Sequence, residues 1–146
     1  MQNVFVYGTL IFPKIIFTLT GKNFETKNAT LEGFCRYKIF DGDKPREYPA
    51  ILETKNGKVE GKILFNVDKE SLNILDFFEE NDFERKKAKV LLDEIEIDVF
   101  VYVWNPKYDK EKLRLNWEPK EFEEKYLEYY LSKVIPNALY DYNCQK

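Results

Sequence analysis

Val4-Phe5-Val6-Tyr7-Gly8-Thr9-Leu10 opens the chain with four apolar or aromatic residues and then breaks on a glycine. A short run of this kind, rich in β-branched and aromatic side chains and ended by a breaker, predicts a buried strand over Asn3 to Tyr7. Gly8 lets the backbone turn sharply and lets a ligand approach amide N–H groups with no Cβ in the way. A left-handed φ is the expectation at Gly8, because a β-branched residue there would disfavour positive φ.

Outward from this strand, Phe12 to Leu19 predicts a short helix, with Pro13 in its first turn and Gly21 past its end. Ala29 to Phe40 reads as a long strand interrupted at Gly33 by a bulge or a close backbone approach. Asp41 to Glu47 is a polar loop rich in turn formers. Tyr48 to Glu53 and Val59 to Val67 then predict two strands joined as a hairpin around Asn56-Gly57, with Pro49 marking an edge. Asp68 is the expected N-cap of a helix carrying Leu72, Leu75 and Phe78 at helical spacing. Lys89 to Asp93 and Ile95 to Trp104 flank the acidic turn Asp93-Glu94, and the second strand is apolar on both faces, which places it centrally under cover on both sides. Asn105 to Asn116 is a charged loop. Pro119 precedes a helix reaching about Val134, with Phe122, Tyr126, Tyr129 or Tyr130, and Val134 on its core face, and Pro136 is expected to end it. About six strands in a small mixed, barrel-like sheet with two or three packed helices make this an α+β chain.

Composition narrows the function. At 146 residues the expectation is one domain over 1–146, with the C-terminal helix (about 120–134) docked on it. Lys+Arg 23 against Asp+Glu 26 leaves a charge of -3, which offers no overall attraction for nucleic acid. No apolar run approaches the roughly 18 residues of a membrane span, and MQNVFVY has no leader pattern, so a cytoplasmic protein with no membrane partner is expected. Cys35 and Cys144 show no metal-ligand spacing and are read as reduced thiols. Histidine is absent, which removes Ser-His-Asp and Cys-His machinery and the common zinc sites. Proton transfer in an enzyme of this composition falls to a carboxylate, lysine, tyrosine or backbone group.

Three stretches in order, VFVYGTL at Val4–Leu10, YPAI at Tyr48–Ile51 and LDFFEENDFER at Leu75–Arg85, resemble the gamma-glutamylcyclotransferase-like family, in particular its gamma-glutamylamine cyclotransferase branch. LEGFCRYKI at Leu31–Ile39, VEGKILFNV at Val59–Val67 and VFVYVW at Val99–Trp104 extend the resemblance over roughly residues 3–104, and Asn116-Trp117-Glu118-Pro119 is similar to a Trp-acidic stretch of plant members. The resemblance implies a closed sheet with outer helices, and conversion of a gamma-glutamyl amide to 5-oxoproline with release of the amine. It implies no cofactor and no metal, with a small-molecule gamma-glutamyl compound as the partner; oligomeric state is left open. By the match of LDFFE it assigns Glu79 as general base and acid, and it assigns Tyr7, Gly8, Thr9 and Leu10 to substrate binding, mainly through backbone. Phe77, Phe78 and Phe83 are expected to wall Glu79 with apolar surface that favours its protonated form. Where many relatives carry Gly after the catalytic Glu and Tyr four residues beyond it, this chain has Glu80 and Phe83. Arg85 is read as a structural ion-pair partner. The alternative is a non-catalytic small-ligand or protein-binding module on the same fold.

Overall fold

The computed structural model describes residues 1–114 and 116–145. Its organising feature is one long bent hairpin, β2 (Thr26–Asp41) and β3 (Lys44–Val67), whose tight turn falls at Gly42-Asp43. β1 (Gln2–Val6) runs antiparallel to the far half of β3 and parallel to β5 (Ile95–Trp104). β5 pairs with β4 (Phe83–Leu92), and β4 returns to β2 through Thr30 and Leu91. The order β3-β1-β5-β4-β2, closed by the β2–β3 pairing, makes a five-stranded barrel; β6 (Leu113–Arg114) adds a short sixth strand beside Lys38 and Ile39 of β2.

Two expectations about this hairpin are corrected. Asp41 to Glu47 is the hairpin tip and the start of β3, with Asp41 paired to Lys44 and Phe40 to Pro45. Asn56-Gly57 is no hairpin turn. The register jumps there from Phe34↔Glu53 to Glu32↔Lys58, so residues 54–57 bulge out of β3 opposite Gly33. Asn56 takes the positive φ (64°) that an Asn-Gly turn would need, but uses it to bend a continuous strand around the barrel. β4 also begins six residues earlier than the expected Lys89, because Phe83–Ala88 pair with Trp104–Val99 although their side chains alternate poorly. β6 lies in what reads as a charged loop; Leu115 is outside the described residues.

The strand pleat sorts side chains between two cores. Phe5, Tyr7, Ile51, Ile63, Val99, Val101 and Val103 fill the barrel interior. Val4, Val6, Leu64, Tyr102 and Trp104 point outward and are covered by helices, so β5 is covered on both faces as expected. The covering helices are α1 (Pro13–Thr20), capped by Gly21 in the left-handed conformation, and α2 (Lys69–Glu79), whose N-cap Asp68 accepts from the Ser71 N–H at 3.1 Å. α3 (Pro119–Lys125) and α4 (Leu127–Tyr129) follow, and then a π-helical stretch at Tyr130–Val134 leads into α5 (Ile135–Cys144). Pro136 therefore does not end the helix. It sits in the first turn of α5, where a missing N–H is tolerated, and the preceding π stretch absorbs the change of register. Ile15, Leu72, Leu75, Phe122, Tyr130 and Ile135 join the helix side to the barrel wall.

Candidate active site

β1 ends at Val6, and a single 3-10 turn (Thr9–Ile11) carries the chain from the barrel rim to α1. The Ile11 N–H donates to Gly8 O at 3.1 Å and the Phe12 N–H to Thr9 O at 3.5 Å. These bonds use carbonyls; the Gly8 N–H has no hydrogen-bond acceptor among the described residues. Gly8 has φ -124°, so the expected left-handed backbone is absent. Its ψ of -129° lies outside the α and β regions, and space demands glycine as well. A Cβ on Gly8 would lie 2.7 and 2.8 Å from Cγ and Cδ of Pro49, whose ring closes over the turn. Arg36 fixes the turn from below, donating to Tyr7 O at 2.8 Å while its guanidinium lies 5.5 Å from the Trp117 ring centre.

Opposite this turn, α2 delivers Glu79 from its last residue. The residue is partly exposed, its carboxyl opens onto the cavities it lines, and it has no hydrogen bond or ion pair among the described residues. Desolvation, reinforced by the neighbouring carboxylates of Asp76 and Glu80, pushes its pKa up to about 8. The next residue, Glu80, holds φ 60° and ψ -165°, a region that glycine occupies readily and other residues do not. The following turn is pinned from outside: the Asn105 N–H donates to Asp82 O at 2.8 Å and Asn105 Nδ2 to Asn81 O at 3.0 Å.

The two turns frame a pair of adjoining cavities. The inner one, about 20 Å³, is bordered by all five residues assigned from sequence, Tyr7, Gly8, Thr9, Leu10 and Glu79, together with Tyr48, Pro49 and Tyr102. The outer one, about 370 Å³, shares Thr9, Tyr48 and Glu79 and is walled by Phe77, Phe78, Phe83, Tyr130, Val134 and Ala138. The expected aromatic wall is present, with Phe83 packed on Tyr48 and Trp104 at 6.1 and 6.2 Å between ring centres. The charged groups on the outer cavity, Glu79, Glu80 and Asp141, are all acidic. No group of three or more metal-ligating side chains occurs among the described residues.

Several site residues escape the sequence reading. Tyr48 reads as an edge-strand residue, yet it borders both cavities, and its hydroxyl accepts from Arg46 at 2.9 Å and donates to Asp82 at 3.4 Å. Arg46 also pairs with Asp41 (2.7 Å) and Asp82 (3.0 Å), tying the hairpin tip to the turn after Glu79. Burial moves the Tyr48 phenol up to about 12, against the pull of Arg46. Tyr7 donates its hydroxyl to Tyr102 O at 2.5 Å, and Tyr102 donates to Asp76 at 2.7 Å. Arg85 pairs with Asp76 at 3.4 Å, the structural ion pair expected of it.

A strand-end turn facing an unpaired glutamate across a walled cavity agrees with the comparisons with known proteins. A family model described as "Gamma-glutamyl cyclotransferase, AIG2-like" matches residues 4–124. The chain belongs to this AIG2-like family. AIG2-like protein D of Arabidopsis thaliana is 37% identical over 134 residues, spanning 90% of this chain and 85% of its own length. AIG2-like protein C of the same plant is 34% identical over 124 residues, spanning 84% and 69%. A solution structure from Arabidopsis thaliana matches with TM-score 0.67 at 29% identity over 91% of this chain and 87% of that one. A structure titled gamma-glutamyl cyclotransferase has the same fold, with TM-score 0.61 at 19% identity over 71% and 66%. The AIG2-like match ends at residue 124, so Tyr130, Val134, Ala138 and Asp141 reach the outer cavity from beyond it.

Proposed function

We propose that this protein is a gamma-glutamyl cyclotransferase that converts a gamma-glutamyl amide to 5-oxoproline and a free amine, with Glu79 as its single general base and acid. The observation that carries this reading is the Glu79 carboxyl, unpaired at the junction of the two cavities, where desolvation and neighbouring acids raise it to about 8. A base of that strength is matched to neutral pH, whereas an exposed glutamate is too weak. In the reaction Glu79 takes a proton from the substrate's α-ammonium. The freed nitrogen attacks the γ-carbonyl carbon, a C–N bond forms, and the carbonyl electrons move to oxygen. Collapse of that adduct breaks the amide C–N bond as Glu79 returns its proton to the departing nitrogen. The inner cavity, about 20 Å³, has room for little more than a water, so the substrate occupies the outer cavity of about 370 Å³, its glutamyl end at the shared rim of Thr9, Tyr48 and Glu79 near the unpaired Gly8 N–H and its departing amine among the aromatic walls. Only protons and an acyl group move, so the step requires no cofactor.

Glu79→Gln tests the reading. It keeps shape and removes the base, so kcat for 5-oxoproline release from gamma-glutamyl amides is expected to fall by at least roughly 10²-fold. Near-normal turnover in that variant removes Glu79 from the mechanism. Absence of turnover by the parent on gamma-glutamyl amines, gamma-glutamyl amino acids and glutathione alike leaves the binding module as the reading.

A further inference from the structure

Four tyrosines surround Glu79: Tyr7 and Tyr102 border the inner cavity, Tyr48 borders both cavities and Tyr130 borders the outer one. Three of their hydroxyls are committed to the protein. Tyr7 donates to Tyr102 O, Tyr102 to Asp76, and Tyr48 lies between Arg46 and Asp82. The fourth is free. Tyr130 is 4% exposed, yet its hydroxyl makes no hydrogen bond among the described residues. The enclosed side-chain polar atom without a partner among the described residues is Trp104 Nε1, so the Tyr130 hydroxyl is open to the cavity it lines, a donor left free for a ligand there. Tyr130 shares the outer cavity with Glu79, and burial first, then the neighbouring acidic groups, hold its phenol well above its ordinary pKa, so it stays a neutral O–H donor.

The backbone explains how a helical residue comes to point here. The helical run breaks at Tyr126 (φ -127°) and widens to a π turn that begins at Tyr130. Phe122 then packs edge-on against the Tyr130 ring at 4.9 Å between centres, fixing its direction. π turns of this kind recur at functional sites because they redirect a side chain without ending the helix.

Resting on the cyclotransferase reading above, we propose that Tyr130 is a second catalytic residue, donating a hydrogen bond to the substrate's γ-carbonyl oxygen as negative charge builds on it during ring closure. The bond formed is N–Cγ and the bond broken is the amide C–N. Tyr130 keeps its proton throughout and stabilises the oxyanion by donation alone. The same oxygen survives as the lactam carbonyl of 5-oxoproline, so the hydrogen bond persists in the product complex.

Tyr130→Phe, which keeps the ring and its packing on Phe122, is the test, read in two ways on the full chain. In turnover, kcat is expected to fall by roughly 10²-fold with KM within about threefold, as for the loss of one oxyanion donor. In calorimetric titration with 5-oxoproline, affinity is expected to fall by roughly five- to tenfold, the loss of one hydrogen bond. A purely structural tyrosine would shift the melting temperature and leave both readings in place. If Tyr130→Phe turns over within about threefold of the parent and binds 5-oxoproline equally well, the proposal is overturned while the Glu79 mechanism stands. If no gamma-glutamyl amide is turned over by the parent, the cyclotransferase reading fails, and the 5-oxoproline titration alone decides whether Tyr130 is a ligand contact.

Discussion

The two turns that meet at the site are built on opposite terms. The first, Tyr7 to Ile11, is held by packing: Gly8 has a negative φ with ψ -129°, and Pro49 and Arg36 hold the turn by contact and hydrogen bond. The second, Glu79 to Asp82, holds a non-glycine residue at φ 60° next to a carboxyl that burial and two neighbouring acids push up to about 8. It is kept in place by Arg46 on Asp82 and by Asn105 on the backbone. One turn gives shape and uses a glycine to do so, while the other concentrates destabilising features where proton chemistry is needed. That asymmetry is the expected mark of a reactive group held by a surrounding scaffold.

The largest effect belongs to Glu79 itself. Its folded pKa of about 8 lies above the ordinary value of 4.5. The native state therefore binds more protons than the unfolded state between these pH values, and stability declines as pH rises through that window. Glu79→Gln cannot ionise. It should match the parent near pH 4 and exceed it above pH 8 by roughly 3 to 4 kcal/mol, at about 1.36 kcal/mol per unit of pKa and allowing for the residue's partial exposure. Denaturant titrations of both proteins from pH 4 to 9 check this. A stability difference independent of pH would show that Glu79 is not the costly member of its turn.

Gly8→Val tests the other side. The new Cβ would sit within 2.8 Å of the Pro49 ring, so either the ring or the turn must move. The expected loss is roughly 1 to 3 kcal/mol from overpacking, with KM raised because the displaced turn borders the inner cavity. Pro49→Ala in the same chain opens the space and should recover part of the loss. No recovery would mean that backbone conformation, and not the proline, demands glycine.

These variants also show which parts of the molecule local sequence could reveal. The first strand (expected over Asn3 to Tyr7, found at Gln2–Val6), the cap at Asp68, the Asp93-Glu94 turn and the two-faced strand Ile95–Trp104 follow from residues acting within a few positions of one another, and the structure has each of them. The requirement for Gly8 was legible but its cause was not, since the ring it avoids lies 41 residues away in sequence, at Pro49. Asn56-Gly57 and Pro136 misled for a related reason. A turn dipeptide can serve a bulge, and a helix-breaking residue can start a new helical turn, when long-range packing supplies the remaining bonds. Tyr130 reads as one more aromatic on a core stripe. Its core position is real, and only the pairing of the three other hydroxyls singles it out.

The smallest effect separates backbone from charge in the second turn. Glu80→Gly relieves the φ of 60° and removes a carboxylate that raises the Glu79 pKa; Glu80→Gln removes only the charge. Glycine should stabilise by about 1 kcal/mol, the relief of local strain less the extra freedom glycine has when unfolded. Glutamine should leave stability nearly as it is at low pH. Both should move the rising limb of kcat/KM against pH below about 8, because the ionised form of Glu79 loses a like-charged neighbour. The limb and the melt thus report different properties of one residue. If glycine stabilises without moving the limb, the charge of Glu80 does not reach Glu79. If both variants move the limb and neither changes stability, Glu80 sits at positive φ without strain, and the contrast between the two turns rests on the Glu79 carboxyl alone.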